Sequence, residues 1–224
     1  ILPGPISSLS VVVDQWSVLV THTLATGSKL IVAILISLLI AIPLGLYVGH
    51  NKSARTLFSP LIYTAYPIPK VVFWPIIFIL FGLDAVHQDL GKITFVVLVI
   101  SFQLLVSIRD AAENIPKEYV ISAVSAGVGQ FRIYWDVVLP GALPAIFTSL
   151  RVSLGLGIFA VYVAETSYAV GVPPGLGLFI VKRFQVLQFE QVFAGIVAFA
   201  ILGLVLYLIL ELLERWLCRW KYLN

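Results

Sequence analysis

Long apolar runs separated by short polar segments make up most of the chain. Five runs are candidates to cross a bilayer, whose hydrocarbon core takes about 20 apolar residues in a helix. They cover approximately residues 24–48, 57–81, 93–106, 143–170 and 192–213. The third run is short and would extend to Lys92 and Ile108. The pattern predicts an all-α polytopic membrane protein with five spans.

Prolines interrupt the second run, whose middle is TAYPIPKVVFWP. Pro67, Pro69 and Pro75 each remove a backbone donor and bend a helix. Lipid penalises the carbonyls that are freed, so this helix is expected to line a protein interior or a wet path. Tyr66 and Trp74 flank the prolines and either shape such a path or pack in the bundle core.

Two charged residues are further candidates for the path, Lys70 in the second span and Glu165 near the outer end of the fourth. A cation inside a membrane is by default a functional candidate, and an anion path would use one. Alternatively, Lys70 pairs with Glu165 or snorkels out of a shorter span. Glu165 is either a gate residue or an interfacial charge. Near the span ends, Lys29 is expected to snorkel and Arg151 to anchor the interface.

The chain's longest polar, helix-breaking interruption lies at residues 119–146. Pro116 suits the first turn of a helix there. Gly127 and Gly129 each weaken that helix by about 1 kcal/mol relative to Ala, which indicates close backbone approach or a turn. Pro140 and Pro144 start the next span. One helical face would collect five positions: Val120, Val124, Gly127, Val128 and Phe131. An amphipathic helix followed by a rigid turn suits insertion into a groove on a partner protein.

Both ends of the chain are more polar than the spans. Residues 1–21 mix prolines, Asp14 and Gln15 with valines and Trp16, which predicts an interfacial segment. The membrane domain is predicted at 22–214, with a cytoplasmic loop at 109–142 and a basic tail at 215–224. A polar turn is expected at 81–91, and a loop from PPGLG (173–177) through Lys182 and Arg183. Because the chain starts at Ile1 and lacks Met, we expect a truncated N-terminus.

Composition excludes several classes of protein. Hydrophobic residues make up 60% of the 224 residues and charged residues 11%, whereas about a quarter of a soluble domain is charged. The net charge of +3 has no basic stripe that would bind nucleic acid. The sequence contains no catalytic triad spacing, metal-ligand cluster or GK[ST] phosphate loop, and its histidines are isolated. Cys218 is a lone thiol, expected to be inert.

Basic residues predict the orientation, since Lys and Arg are enriched in cytoplasmic loops. Four lie on one side of the predicted topology, namely Lys29, Lys92, Lys182 and Arg183, with Lys70 left inside the membrane. Nine lie on the other side: Lys52, Arg55, Arg109, Lys117, Arg132, Arg151, Arg215, Arg219 and Lys221. The second side, and with it the interruption at 109–142, is predicted to be cytoplasmic.

The interruption resembles the cytoplasmic loop of binding-protein-dependent ABC importer permeases. Their pattern is Glu-Ala-Ala, three residues, Gly, then further on Ile-x-Leu-Pro. Aligned on Gly127, the triplet falls on residues 121–123 and the end on 137–140, followed by GALPAI (141–146). LRVSLGLGI (150–158) continues the likeness. LPGP (2–5), YPIPKVVFWPIIFILFG (66–82), Ala164–Glu165 and Gly175–Leu176–Gly177 are similar to the nitrate/sulfonate/taurine/bicarbonate branch, so the resemblance covers nearly the whole chain.

The resemblance implies a type I importer fold with a sixth, N-terminal span, in a multi-pass protein of the bacterial plasma (inner) membrane. It implies a homodimer, two ATP-binding subunits that carry ATP and Mg, and a periplasmic or lipid-anchored solute-binding protein. This chain would bind no cofactor and catalyse no reaction. The solute would be a small oxyanion or sulfonate, such as nitrate, bicarbonate, taurine or an alkanesulfonate. Nine residues would couple to the ATPase: Glu118, Ile121, Ser122, Ala123, Gly127, Gln130, Phe131, Leu139 and Pro140. The path would include Tyr66, Pro67, Pro69, Lys70 and Glu165.

Three departures from the family pattern carry consequences. Ile121 stands where the loop has glutamate, so a salt bridge to the ATPase is lost or moved, with Glu118 as the candidate. Lys70 stands where the branch has a second proline, and the distance from Glu165 to Gly175 is a few residues longer than usual.

Two other classes of membrane protein stay open. One is a secondary carrier or channel without an ATPase, which would show internal repeats. The other is a structural membrane protein.

Overall fold

The structure, a computed structural model, describes residues 5–81, 85–167 and 174–222. Within these ranges the chain is helical and contains no strand. Asp84 of the predicted polar turn, the LPG of the opening motif, the end of the fourth predicted span and Pro173 lie outside the described residues.

The described residues form ten α-helices. These are α1 (Pro5–Asp14), α2 (Trp16–His50), α3 (Lys52–Ala65), α4 (Trp74–Phe81), α5 (Ala85–Glu113), α6 (Lys117–Ser125), α7 (Gln130–Ile133), α8 (Leu139–Thr166), α9 (Leu176–Gln185) and α10 (Phe189–Leu217). A 3-10 helix (Lys70–Phe73) precedes α4, a π-helix (Tyr134–Val138) joins α7 to α8, and a 3-10 helix (Arg219–Tyr222) follows α10. In the described residues, four helical segments are long and apolar enough to span a membrane, or five if α3 and the helix after its break form one span. The all-α polytopic prediction is confirmed.

Several span boundaries differ from the hydrophobic pattern. Helix α2 begins at Trp16 rather than near residue 24, so residues 16–21 belong to the first long helix and not to a separate segment. Thr21 and Thr23 fit there because their hydroxyls donate to the carbonyls four residues earlier. At 35 residues the helix is about 52 Å long, which exceeds the hydrocarbon thickness of about 30 Å.

Two predicted loops are helical instead. The polar turn at 81–91 is wrong from Ala85 onward, since α5 runs from Ala85 to Glu113 and also replaces the short third span. The loop through 173–183 is wrong from Leu176 onward, because α9 begins there and ends at Gln185. Residues 176–180 of α9 are buried. Similarly, α10 continues to Leu217, into the predicted tail.

The predicted proline break in the second span is confirmed. Helix α3 ends at Ala65, and the chain leaves helical geometry at residues 66–69, which include Pro67 and Pro69. Pro75 lies in the first turn of α4, where a missing N–H costs nothing, so it does not interrupt the helix. At the other end of α3, the Asn51 side chain accepts from the Ala54 N–H at 3.1 Å.

The chain divides into two compact units. The first comprises residues 1–35, 70–99 and 154–206, and the second comprises 36–69, 100–153 and 207–224. All nine basic residues predicted to be cytoplasmic belong to the second unit, and the other five belong to the first. The two groups of basic residues, predicted to lie on opposite sides of the membrane, therefore belong to different units.

In the second unit, α2 packs closely on α5 through two glycines. A Cβ at Gly45 would lie 2.8 Å from Ile108 Cβ, and one at Gly49 would run into the Arg109 carbonyl oxygen. GLYVG (45–49) is thus a GxxxG surface that lets two backbones approach. By contrast, a Cβ at Gly155 in α8 would have nothing within 4 Å.

Candidate functional site

The predicted loop helix is present as α6, an exposed element of the second unit. Pro116 occupies the N-cap position, and none of the nine residues of α6 is buried. Glu118 lies in the first turn, where a carboxylate is favoured by the helix dipole. Ile121 and Ser122 are exposed, and Ala123 is half-buried.

A glycine turn ends α6. Gly127 has φ of +77°, and the N–H groups of Gly127 and Val128 donate to the carbonyls of Val124 and Ala123 at 2.9 and 3.0 Å. This is a helix C-terminus closed by a left-handed glycine. A Cβ at Gly127 would meet nothing within 4 Å, so backbone conformation rather than crowding requires the glycine. Because the helix stops at Ser125, the predicted continuous face from Val120 to Phe131 is wrong.

After the turn the chain returns through α7 and the π-helix to α8. Gln130 starts α7, and Ile133 and Val138 are buried and anchor this arm. Leu139 and Pro140 begin α8 and are half-buried. Pro140 cannot donate to the carbonyl four residues earlier, and the wider π turn comes immediately before it.

Large apolar side chains on both arms face outward. We call the set the loop surface: Tyr119, Ile121, Val124, Phe131 and Trp135, all exposed. Phe131 is 75% exposed and its ring centroid lies 6.2 Å from that of Trp135. Exposed apolar patches rimmed by charged residues mark interaction surfaces. An open groove of about 450 Å³ adjoins this surface and is lined by Ala111, Asn114, Ile115, Pro116, Tyr119, Ser122, Asp136, Val137 and Gly141.

A second candidate site lies in the first unit around Glu165, whose side chain is fully buried. Its carboxylate accepts from the Thr26 hydroxyl at 2.9 and 3.0 Å and from the Lys29 ammonium at 3.0 Å. It also accepts from the Gly177 N–H at 2.9 Å. Glu165 is therefore a buried carboxylate that accepts several hydrogen bonds. This burial disagrees with the alternative that Glu165 is a simple interfacial charge.

The cluster fastens residues 174–177 to α2 and α8. Lys29 donates to the Pro174 carbonyl at 2.9 Å, and the Leu176 N–H donates to the Thr26 hydroxyl at 2.8 Å. His22 Nδ1 lies 2.9 Å from the Gly175 nitrogen. A Cβ at Gly177 would lie 2.8 Å from Glu165 Cβ, and one at Gly175 would overlap the Glu165 carboxylate. The two glycines of the GLG motif therefore leave room for Glu165.

Two further charges extend the cluster along α5. The Lys29 and Lys92 ammonium nitrogens lie 3.5 and 3.1 Å from the same oxygen of Asp89, Oδ1. Lys29 does not snorkel as predicted, because Glu165 and Asp89 supply negative charge inside the unit. None of Thr26, Asp89 and Lys92 was predicted from the sequence as a site residue. Lys92 carried one signal, since it is a charge at the edge of an apolar run.

Four other predicted path residues lie at the break after α3 and directly beyond it. Tyr66, Pro67 and Pro69 are exposed at the break after α3, where the Tyr66 ring lies 6.3 Å from that of Phe102. Lys70 is half-buried in the 3-10 helix. The cationic partner that the structure shows for Glu165 is Lys29, and the pairing of Lys70 with Glu165 stays a prediction. Trp74 is buried against Phe95 at 5.2 Å between centroids, which favours its packing role.

In the second unit, Arg151 has a structural partner. It pairs with the buried Glu214, which also accepts from Lys221 at 2.8 Å. The basic residues after α10 therefore contribute to packing. Cys218 is fully buried beside them, and burial together with the Glu214 charge raises the pKa of its thiol. The prediction that this thiol is inert is supported by both facts.

The known proteins that are similar to this chain are membrane components of transport systems. The family described as "Binding-protein-dependent transport system inner membrane component" matches residues 41–219. The chain is 30% identical over 199 residues to the taurine transport system permease protein TauC of Escherichia coli, covering 89% of this chain and 70% of that protein. It is 27% identical over 199 residues to the bicarbonate transport system permease protein CmpB of Synechococcus elongatus, covering 88% and 69%.

A solved structure supports the fold. A chain of the MetNI methionine ABC transporter, in inward facing conformations, superposes with a TM-score of 0.72 at 18% identity, covering 91% of this chain and 98% of that one. The type I importer fold is confirmed, and the relatives and the apolar helices agree with a multi-pass protein of the plasma membrane. The chain belongs to the binding-protein-dependent transport system inner membrane components, the permease subunits of ABC importers, in the nitrate/sulfonate/taurine/bicarbonate branch.

Proposed function

We propose that this permease subunit passes a small oxyanion or sulfonate delivered by a solute-binding protein, as a homodimer driven by two ATP-binding subunits. The observation that carries the proposal is the loop surface. Its five large apolar side chains are exposed on two short arms, while buried Ile133 and Val138 fix the second arm to its unit. A stiffly mounted apolar surface suits transmission of a partner's movement.

The two arms would engage the ATPase as one body. Glu118 and Gln130 are polar groups at the starts of α6 and α7, and Leu139 and Pro140 continue the second arm directly into α8. Helix α8 also carries Glu165. A displacement of the loop surface would therefore be transmitted along α8, a continuous helix that also belongs to the first unit. Transmission of this kind would allow the ATP-binding subunits to favour one of two discrete conformations.

The loop lacks the family's glutamate at Ile121, and the structure offers two substitutes. Glu118 is exposed in the first turn of α6. Asp136 lines the groove together with Ser122, which follows Ile121 directly. Either carboxylate could receive a basic side chain of the ATP-binding subunit.

The choice of solute rests on the relatives and on charge. The relatives include permeases named for taurine, bicarbonate and aliphatic sulfonates. Lys70 lies half-buried beside the proline break of the second span, where it would favour an anion. We expect Lys70→Leu to reduce anion uptake more than it reduces assembly with the ATPase; equal uptake would assign Lys70 a structural role.

The test is ATP hydrolysis by the reconstituted complex in response to solute-loaded binding protein. We expect Gly127→Trp and Phe131→Asp to abolish the stimulation while the permease still inserts. Phe184→Asp is the matched control, because Phe184 is an exposed aromatic (58%) on α9 in the other unit. Unchanged stimulation in both loop variants would remove the loop from the mechanism. Solute movement by the permease alone in vesicles would favour a secondary carrier.

A further inference from the structure

We propose that the C-terminal end of α10 carries a binding site for an anionic phospholipid of the adjacent leaflet, formed by Trp216, Arg219 and Trp220. We call these three residues the C-terminal corner. All three are exposed, the tryptophans by 64% and 49%. The Arg219 guanidinium would bind the lipid phosphate, and the tryptophan rings would lie beside the glycerol and the start of the acyl chains. This partner is distinct from the ATP-binding and solute-binding subunits of the proposed function.

The charged residues along α10 set the depth of the corner in the membrane. Residues 192–210 contain no charge, and these 19 helical residues are about 28 Å long. This length matches a hydrocarbon core of about 30 Å. Glu190 precedes the run and Glu211 follows it. The last turn of α10 and the residues after it therefore lie at headgroup level, where tryptophan is enriched in membrane proteins.

The corner continues the lipid-facing side of α10. Ile209 and Leu212 are large apolar residues of the span, 45% and 66% exposed. Trp216 follows Leu212 by four positions, and Arg219 and Trp220 follow Trp216 by three and four, so these side chains share one helical face. A face that begins in the hydrocarbon core is open to lipid along its whole length. This continuity favours a lipid over a cytoplasmic protein as the occupant.

The opposite face holds the corner in place. Glu214 and Cys218 are buried there, at 1% and 0% exposure. The Cys218 N–H donates to the Glu214 carbonyl at 2.7 Å, and the Lys221 N–H donates to the Cys218 carbonyl at 3.0 Å. The Lys221 ammonium also bonds the Glu214 carboxylate at 2.8 Å. The corner is therefore presented by a packed helical segment, which lowers the entropy that is lost when a lipid binds.

Charge favours an anionic lipid over a neutral one. In the part of the chain that the structure describes, Arg219 has no ion pair, whereas Arg215 pairs with Glu211 at 2.6 Å. This end of α10 lies on the side that is predicted to be cytoplasmic, where the leaflet carries a negative surface potential. Phosphatidylcholine brings its own cation next to the phosphate, so it gains less from Arg219 than phosphatidylglycerol does.

The experiment measures lipid binding to the purified complex of permease and ATP-binding subunits in a neutral detergent. The probes are dioctanoyl phosphatidylglycerol and dioctanoyl phosphatidylcholine, and native mass spectrometry counts the lipids that stay bound. We expect the Kd of phosphatidylglycerol to be lower by at least about fivefold, since one charge pair at a membrane surface contributes that much. Equal Kd values would indicate an unselective lipid belt and overturn the inference.

Matched arginine variants locate the site. Arg219→Gln should raise the phosphatidylglycerol Kd by about fivefold. Arg215→Gln is the control, because it removes the same charge four positions away from a residue that Glu211 already neutralises, and its Kd should equal the wild-type value. Both residues are exposed, so an unchanged Tm shows that each variant is folded. Equal losses in the two variants would indicate general attraction by the basic tail and overturn the inference.

Two further arms separate lipid from other occupants. Inorganic phosphate at the concentration of the lipid should leave the lipid bound, because phosphate has no acyl chains to lie on the apolar face. Displacement by phosphate would assign the corner to a free anion and overturn the inference. The isolated permease should bind phosphatidylglycerol with the same Kd as the complex. Binding to the isolated permease alone would show that the ATP-binding subunit covers the corner, which also overturns the inference.

Discussion

Replacing Glu165 by leucine should destabilise the first unit strongly. The carboxylate is fully buried and accepts from three donors on separate parts of the chain: the Lys29 ammonium, the Thr26 hydroxyl and the Gly177 N–H. Leucine of similar volume keeps the packing but accepts from none of them. The change therefore isolates the polar role of Glu165 from its space-filling role.

The magnitude follows from the partners left behind. Breaking a buried ion pair by removing one member costs about 3–5 kcal/mol. Losing the acceptor of a buried neutral donor costs about 1–3 kcal/mol, and such costs within one network do not add. Lys29 keeps the Pro174 carbonyl at 2.9 Å and Asp89 at 3.5 Å, which lowers the cost. We expect a loss of about 4 kcal/mol, equivalent to roughly 8–16 °C in Tm at about 2–4 °C per kcal/mol.

The assay is thermal unfolding of the purified protein, followed by its helical circular dichroism signal. Glu190→Gln changes an exposed carboxylate in the same unit and should alter stability by less than about 0.5 kcal/mol. Lys29→Met combined with Glu165→Leu should recover most of the loss, since an apolar pair can replace a buried ion pair. The reasoning is refuted if Glu165→Leu melts within about 2 °C of wild type, or if the losses from the two single changes simply add.

Two further predictions concern residues of the second unit, the first with a comparison variant in the other unit. Gly49→Ala places a Cβ against the Arg109 carbonyl and should cost about 1–3 kcal/mol by thermal unfolding. Gly155→Ala, also inside a helix but with nothing within 4 Å, should stabilise by up to about 1 kcal/mol, and equal losses in the two variants would contradict the GxxxG assignment. Burial and the raised thiol pKa of Cys218 keep it protonated at higher pH than an ordinary thiol. Maleimide labelling near pH 7.5 should therefore be at least about tenfold slower than in Cys218→Ala with Ser125→Cys, and fast labelling of Cys218 would contradict its burial.

The features that the sequence predicted correctly are determined by local chemistry. Apolar runs of span length identify most of the long helices, and two prolines within three residues predict the end of α3. A glycine is unfavourable inside a helix, so Gly127 predicts either close backbone approach or a turn, and the turn is what its positive φ shows. The GxxxG at 45–49 was also local, and counting glycines four apart in every span would have found it.

The features that the sequence missed depend on partners far along the chain. Helix α9 is ten residues long, too short to register as a span. The segment before it is fixed by His22 and Thr26, which lie 153 and 150 positions from their bonded partners Gly175 and Leu176. Neither the hydrophobic periodicity of a sequence nor its turn residues indicate contacts between residues so far apart in the chain. The GLG motif could be recognised as a family likeness, but its physical cause, the room that Glu165 needs, required the structure.

The wrong prediction that Lys29 snorkels could have been avoided by looking for its counter-charge in the other spans. A lysine near a span end snorkels when the bundle offers it no counter-charge, because water is then its best partner. Glu165 lies 136 positions away, yet it is the one acidic residue inside the predicted fourth span. Oppositely charged residues in two apolar segments of one bundle are each costly alone and far less so together. Pairing them first would have predicted Lys29 with Glu165 as readily as Lys70 with Glu165. It would also have kept Lys29 as a candidate, and the structure shows that Lys29 bonds Glu165.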